Sequence, residues 1–140
     1  MRVFPDTNVL ASAFGTRGLC ADVLRIVVAE HELLSGEVVI DELRSVLRRK
    51  FGVPADTIQE IESFIRGFPV EAKPRQLPNL KLSEHSDLMV VASAINVGAE
   101  ILITGDHEML ALKPQPKGMR IVNPREFWNL TSRQAGRGRP

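Results

Sequence analysis

The 140-residue chain contains one cysteine, Cys20, so no internal disulfide can form. That scarcity points to a reducing cytoplasm and leaves Cys20 as a small packed apolar residue rather than a nucleophile. No window approaches the roughly 18 uninterrupted apolar residues that a membrane span requires. The N-terminus passes from Arg2 straight into a strand-like run, without the layout of a signal peptide. Internal repeats are absent, as are low-complexity stretches before the last nine residues. Positive charge is scarce once those nine are set aside. The net charge of +1 includes Arg133, Arg137 and Arg139, and without those three it falls to −2. A generally basic nucleic-acid-binding surface is therefore excluded, and affinity for a polyanion must be local or metal-mediated. Histidine is also sparse: His31, His85 and His107 show no paired metal-ligand spacing.

What is present reads as one globular domain. An apolar fraction of 44% and a charged fraction of 25% are ordinary for a folded chain. Residues 1–131 are expected to form the domain and 132–140, rich in Gly, Arg and Pro, a flexible basic tail. Val3-Phe4-Pro5 is a short strand-like run that ends at Asp6-Thr7-Asn8, a helix-start signature. Helices are expected over Val9–Phe14, Ala21–Glu30, Glu37–Lys50, Ala55–Phe68, Asp87–Val97 and His107–Leu112. The Ala55–Phe68 helix sets Ile58, Ile61, Phe64, Ile65 and Phe68 on one side. Brief strands are expected at Glu32–Leu34, Ile101–Ile103 and Arg120–Val122. Pro69–Leu82 carries three prolines and reads as an extended connector or strand edge. Pro124 suits the first turn of a terminal helix through Trp128. Short apolar strands alternating with helices predict an α/β sandwich around a mainly parallel sheet, whose ligands gather at the carboxyl ends of the strands.

Four acids stand in positions that invite a reason. Asp6 lies directly past the first strand, where helix capping competes with any chemical role. On the helix containing Glu42, Val39, Leu43, Val46 and Leu47 form one stripe, at roughly 0°, 40°, −20° and 80°. Asp41 falls at roughly 200°, towards solvent, whereas Glu42 falls at roughly −60°, on the border of the stripe. No Lys or Arg stands three or four residues from Glu42, so a local ion pair is not available; a hydrogen bond to Ser45 or a distant base remains open. Asp87 is four residues before Val91 and shares the face expected to bury Val91, Ala94 and Ile95, a costly place for an uncompensated charge. Capping by Ser86 or Asp87 is the competing reading. Asp106 follows the strand Ile101–Ile103 through Thr104-Gly105 and could cap the next short helix. Jointly, converging carboxylates would repel one another unless cations sit between them. Oxygen donors without a Cys or His set point to Mg²⁺ or Mn²⁺ rather than zinc.

The run Val3-Phe4-Pro5-Asp6-Thr7-Asn8-Val9-Leu10 resembles the opening hydrophobic-Asp-Thr-Asn motif of PIN-domain proteins. Val38 to Leu47, with Glu42-Leu43 and Val46-Leu47, is similar to their glutamate helix. Asp87 with Leu88 to Ala94 resembles their third acidic motif, and Ile103-Thr104-Gly105-Asp106 their Thr-Gly-Asp motif. Order and gaps agree from about Met1 to Trp128. The resemblance implies a Rossmann-like three-layer α/β/α sandwich and a metal-dependent ribonuclease akin to VapC toxins of toxin–antitoxin pairs. It implies Asp6, Glu42, Asp87 and Asp106 as the catalytic and metal-binding acids, with Thr7, Asn8 and Thr104 orienting them by hydrogen bonds. It also implies an RNA substrate cut to leave a 5′-phosphate and a 3′-hydroxyl, a small antitoxin partner and a homodimer. Three positions depart from the family pattern: Pro5 replaces a leucine-like residue, Glu84-His85-Ser86-Asp87 is less acidic than usual, and Gly36 stands where Ser or Thr is common.

Local basic side chains for RNA are expected among Arg44, Arg48, Arg49, Lys50 and Lys73, for which a solvated helix face is the competing use. The alternative function is a degenerate domain of the same fold that binds a protein or RNA without cutting it. A phosphoryl-accepting receiver-like domain would need an aspartate on a central strand and a lysine late in the sheet, and neither is evident.

Overall fold

The computed structural model describes the backbone of residues 1–137 and the side chains of residues 1–132. The order of elements is β1 (Arg2–Pro5), α1 (Thr7–Gly15), α2 (Leu19–Glu30), β2 (Glu32–Leu33), β3 (Ser35–Gly36), α3 (Glu37–Phe51), α4 (Ala55–Ile65), β4 (Val70–Glu71), α5 (His85–Asn96), β5 (Ile101–Ile103), α6 (His107–Leu110), β6 (Arg120–Val122) and α7 (Pro124–Arg137). Four strands form an all-parallel sheet in the order β2-β1-β5-β6, and β3 pairs with β4 in a small parallel ribbon. Strands of such a sheet are covered on both faces, so they read as continuous apolar runs. Val3, Phe4, Leu33, Ile101, Leu102, Ile103, Ile121 and Val122 are accordingly all buried. Helices complete a three-layer α/β/α sandwich: α1 packs against α2 and α3, α2 against α7, and α5 against β3 and β4.

Pro5 fits because of the sheet's order. Val3 offers its carbonyl to Leu34 on the β2 side, while the Asp6 N–H reaches the Ile103 carbonyl on the β5 side at 2.9 Å. Backbone direction alternates along a strand, so the missing N–H of Pro5 faces the β2 side, where β2 has already ended at Leu33. The β1–β2 ladder ends there, its last bond running from the Leu34 N–H to the Val3 carbonyl. Gly36 has a steric reason. A Cβ there would lie 3.2 Å from the Cβ of Ser93 and 3.6 Å from the ring of Phe4. The chain needs that close approach to bring the start of α3 against α5.

Helix α3 ends where Gly52 turns to φ 60°, a left-handed cap that favours glycine. Its polar side is tied to α4 by a charged network. Arg44 grips Glu62 through two bonds of 2.6 and 2.8 Å and reaches Asp41 at 3.0 Å, while Arg66 joins Glu62 and Glu37. Lys73 also pairs with Asp41, at 3.0 Å. Arg44 and Lys73 are therefore engaged within the protein, whereas Arg48, Arg49 and Lys50 stay exposed on the last turn of α3.

Several expectations are corrected in detail. Helix α4 stops at Ile65, because Gly67 and Phe68 close it with tight turns onto Phe64 and Ile65. Its face is split: Ile61 and Ile65 are buried, whereas Phe64 is 44% exposed. On α5, Ile95 is exposed and the buried set is Val90, Val91, Ala92, Ser93 and Ala94, because β3 and β4 cover a flank one residue earlier. Helix α7 continues past Trp128 to Arg137, through much of the segment expected as a tail; residues 138–140 lie outside the described residues. No helix among the described residues is long and apolar enough to cross a membrane.

Candidate active site

The order β2-β1-β5-β6 reverses direction between β1 and β5, and a crevice opens beyond the carboxyl ends of strands at such a switch. Asp6 and Asp106 follow those two strands. Asp6 caps α1: its Oδ1 accepts from the Val9 N–H at 2.9 Å. Its Oδ2 accepts a short hydrogen bond from the Thr104 hydroxyl. Thr104 is fully buried, and its Oγ1 also accepts from the Asp106 N–H at 3.0 Å. One side chain thus sets the spacing between the two strand ends. Asp106 caps α6 through Oδ1, which accepts from the Met109 N–H at 3.0 Å, and no hydrogen bond engages its Oδ2 among the described residues. Capping leaves Asp106 one unbonded oxygen, whereas both Asp6 oxygens already accept a bond, one from Val9 and one from Thr104.

Glu42 and Asp87 come from helices. Asp41 is exposed and Glu42 partly buried, as the helical arithmetic requires. No Glu42–Ser45 hydrogen bond forms among the described residues, and Glu42 stands close enough to Asp6 and Glu84 to feel their charge. Asp87 sits in the first turn of α5, past the cap position held by Glu84, so it is not the capping residue. It is partly buried with no hydrogen-bond donor among the described residues, near Asp106, Glu84, Glu108 and Glu42.

These neighbours close a circuit. Asp6 feels the charge of Asp106 and interacts with Glu42, and Asp87 feels Asp106 and Glu42, so each of the four expected acids lies within electrostatic reach of two others. None of them is in an ion pair among the described residues. Burial holds the Asp6 carboxyl above its ordinary range against the pull of Thr104 and Val9, with Asp106 adding to the rise. Burial likewise raises Glu42. Asp87 is pushed up to about 6, first by burial and then by Asp106, Glu84, Glu108 and Glu42. Such shifts mark carboxylates held together without compensating positive charge.

The remaining expected residues divide. Thr104 makes the orienting bonds just described. Thr7 is buried beside Glu42 and favours its ionised form, but its hydroxyl stops short of hydrogen-bond geometry and has no partner among the described residues. Asn8 is exposed; its side chain bonds to no acid among the described residues, while its backbone N–H helps to lower the Asp6 carboxyl. His31 lies elsewhere, edge-on to Phe127 with its Nδ1 3.1 Å from the N-terminal amine. His85 and His107 are exposed helix-start residues. Cys20 is partly buried, and its thiol is raised by burial and by Asp6. Glu108 is the residue that sequence reasoning missed. Its carboxylate accepts from the Ser83 hydroxyl and, at 3.3 Å, from the Ser83 N–H, tying α6 to the start of α5. Its place two residues past Asp106, in the same first turn, is the signal that could have found it.

A family model for the PIN domain matches residues 3–113. The chain belongs to the PIN-domain family. Its fold is also similar to a chain in the crystal structure of VapBC2 from Rickettsia felis bound to a DNA fragment from their promoter. That match has a TM-score of 0.64 at 16% identity and covers 88% of this chain and 98% of the other. At that identity the likeness is one of fold. No curated protein matches the sequence. PIN domains are generally nucleases that use divalent metal ions, and the donor set of this PIN domain suits such an ion. All four acids offer oxygen, and the orphaned Thr7 hydroxyl adds another beside them. No three acidic, histidine or cysteine side chains among the described residues form a ready-made cage.

Proposed function

We propose that this PIN domain is a Mg²⁺- or Mn²⁺-dependent endoribonuclease, the toxin of a toxin–antitoxin pair, working in the cytoplasm. The observation that carries this reading is the mutual electrostatic reach of Asp6, Glu42, Asp87 and Asp106, none of which has a Lys or Arg partner among the described residues. These four would hold the metal. When bound, a divalent cation supplies charge against the phosphodiester oxygens and acidifies water at neutral pH. The chain's own contribution is positioning. Thr104 fixes Asp6 relative to the Asp106 backbone, the caps at Val9 and Met109 lock one oxygen of each aspartate, and Glu42 and Asp87 stay free to turn towards a ligand. The acidic body means that RNA must be held by the cation and by a few local bases.

A small antitoxin covering the acidic cleft is the proposed partner, supported by the similarity to a chain from a VapBC complex. A homodimer is proposed with it; the exposed Phe64 and Val28 supply apolar surface for association. The test is cleavage of single-stranded and structured RNA by purified protein with Mn²⁺, with chelator and with Asp6→Asn. Metal-dependent cutting that the substitution abolishes is the expected result. RNA or protein binding without cutting, under every metal tried, would replace the nuclease with the non-catalytic binding module.

A further inference from the structure

A cavity of about 480 Å³ opens between the connector at residues 79–81 and the segment from Glu108 to Pro114. This volume lies within the roughly 300–1,000 Å³ of small-ligand sites. Its floor is apolar, from Leu80, Leu112 and Pro114, and two cations, Lys81 and Lys113, stand at its margin. Both lysines are exposed, and neither is in an ion pair among the described residues. Glu108 forms the wall towards the acids. It lies two residues past Asp106, and its carboxylate is turned onto Ser83, four residues before Asp87. Ser83 donates two hydrogen bonds to Glu108 and fixes its carboxylate, which keeps its charge, so the lining sets two cations against one anion. The pocket is thus one side chain away from the carboxylate circuit. It pairs an apolar platform with two free cations, on a body whose net charge is negative without its last three arginines.

We propose that this pocket holds the RNA nucleotide adjacent to the scissile phosphate. The base lies on Leu80, Leu112 and Pro114, Asn79 meets its edge, and Lys81 and Lys113 take the flanking phosphates. The chemistry matches single-stranded RNA, whose unstacked bases need an apolar surface and a hydrogen-bonding group beside a cationic track. The proposal rests on the nuclease reading for the position of the cut, but its binding test does not depend on catalysis.

The experiment measures binding of a fluorescent single-stranded oligoribonucleotide to full-length Asp6→Asn protein, with and without Lys81→Ala plus Lys113→Ala. Expected are a Kd at least about tenfold weaker and a salt dependence shallower by about 1.4 in log–log slope, the value for two lost phosphate contacts on a single strand. Asn79→Ala is expected to flatten base preference across a panel of oligonucleotides. In the cleaving protein the double substitution raises KM far more than it lowers kcat. An unchanged Kd and salt slope, in protein with an unchanged melting temperature, would overturn the proposal even if RNA is still cut. Loss of binding in a protein that never cuts RNA would keep the pocket and refute the nuclease. An equal loss with the matching DNA strand would overturn the assignment to RNA.

Discussion

Replacing Asp87 with Asn should make the metal-free protein more stable at pH 8 and leave it nearly unchanged at pH 4. The carboxyl titrates near 6 in the folded chain against an ordinary value of 3.8, so the native state binds more protons than the unfolded chain between those values. Stability must therefore fall as pH rises through this window, and the full penalty is present above about pH 6. A shift of about two units caps the penalty at about 3 kcal/mol. Asp87 is only partly buried and its neighbours are screened by salt, which reduces the effect to about 1 kcal/mol. Asn keeps the shape and removes the charge. The assay is thermal or urea unfolding of wild type and variant at both pH values in chelator, where about 1 kcal/mol corresponds to a Tm gain of roughly 3–5 °C. Millimolar Mg²⁺ should raise the wild-type Tm at pH 8 and leave the variant behind. A variant no more stable than wild type at pH 8, or one equally stabilised at pH 4, would refute the electrostatic account.

Two further outcomes follow from the geometry. Thr104→Val keeps the shape but removes the hydroxyl that bonds Asp6 and accepts from Asp106; unfolding measurements should record a loss of about 2 kcal/mol. Cleavage should drop roughly 10- to 100-fold, the usual cost of a lost orienting bond to a metal ligand. Gly36→Ala forces a Cβ to within 3.2 Å of Ser93 and should lower stability by about 1–3 kcal/mol at an unchanged urea m-value. An unchanged midpoint would show that the two segments separate freely.

Much of the fold was legible because local pattern and tertiary packing agree. The strands at Val3, Ile101 and Ile121 are apolar runs with a single plausible use, and Glu42 is chosen over Asp41 by helical angle alone. Other features depended on neighbours that no local window contains. Ile95 looked buried by spacing, but α5 packs against β3, β4 and α3 on faces that leave Ile95 exposed. Arg44 and Lys73 looked free, yet Glu62 and Asp41 engage them across elements. The two-residue strands β3 and β4 are too short to carry any period. Capping and site roles at Asp6 and Asp106 looked like rivals because sequence does not show which oxygen is used. Asp87 is the reverse case: only the structure shows that Glu84 holds the cap position, without a side-chain capping bond, and that Asp87 accepts no hydrogen bond among the described residues.

The bond from Thr104 to Asp6 joins residues 98 positions apart. Contacts of such separation form late in folding, since their loop-closure cost is met before they give anything back. A chain still emerging during synthesis has Asp6 and Glu42 long before Thr104 and Asp106 exist to set them in place, with Asp87 following only shortly ahead of Thr104. A partly made copy therefore holds the acids without their alignment. The destructive capacity proposed for this domain is withheld until nearly all of it has been translated, an interval in which a partner could arrive first.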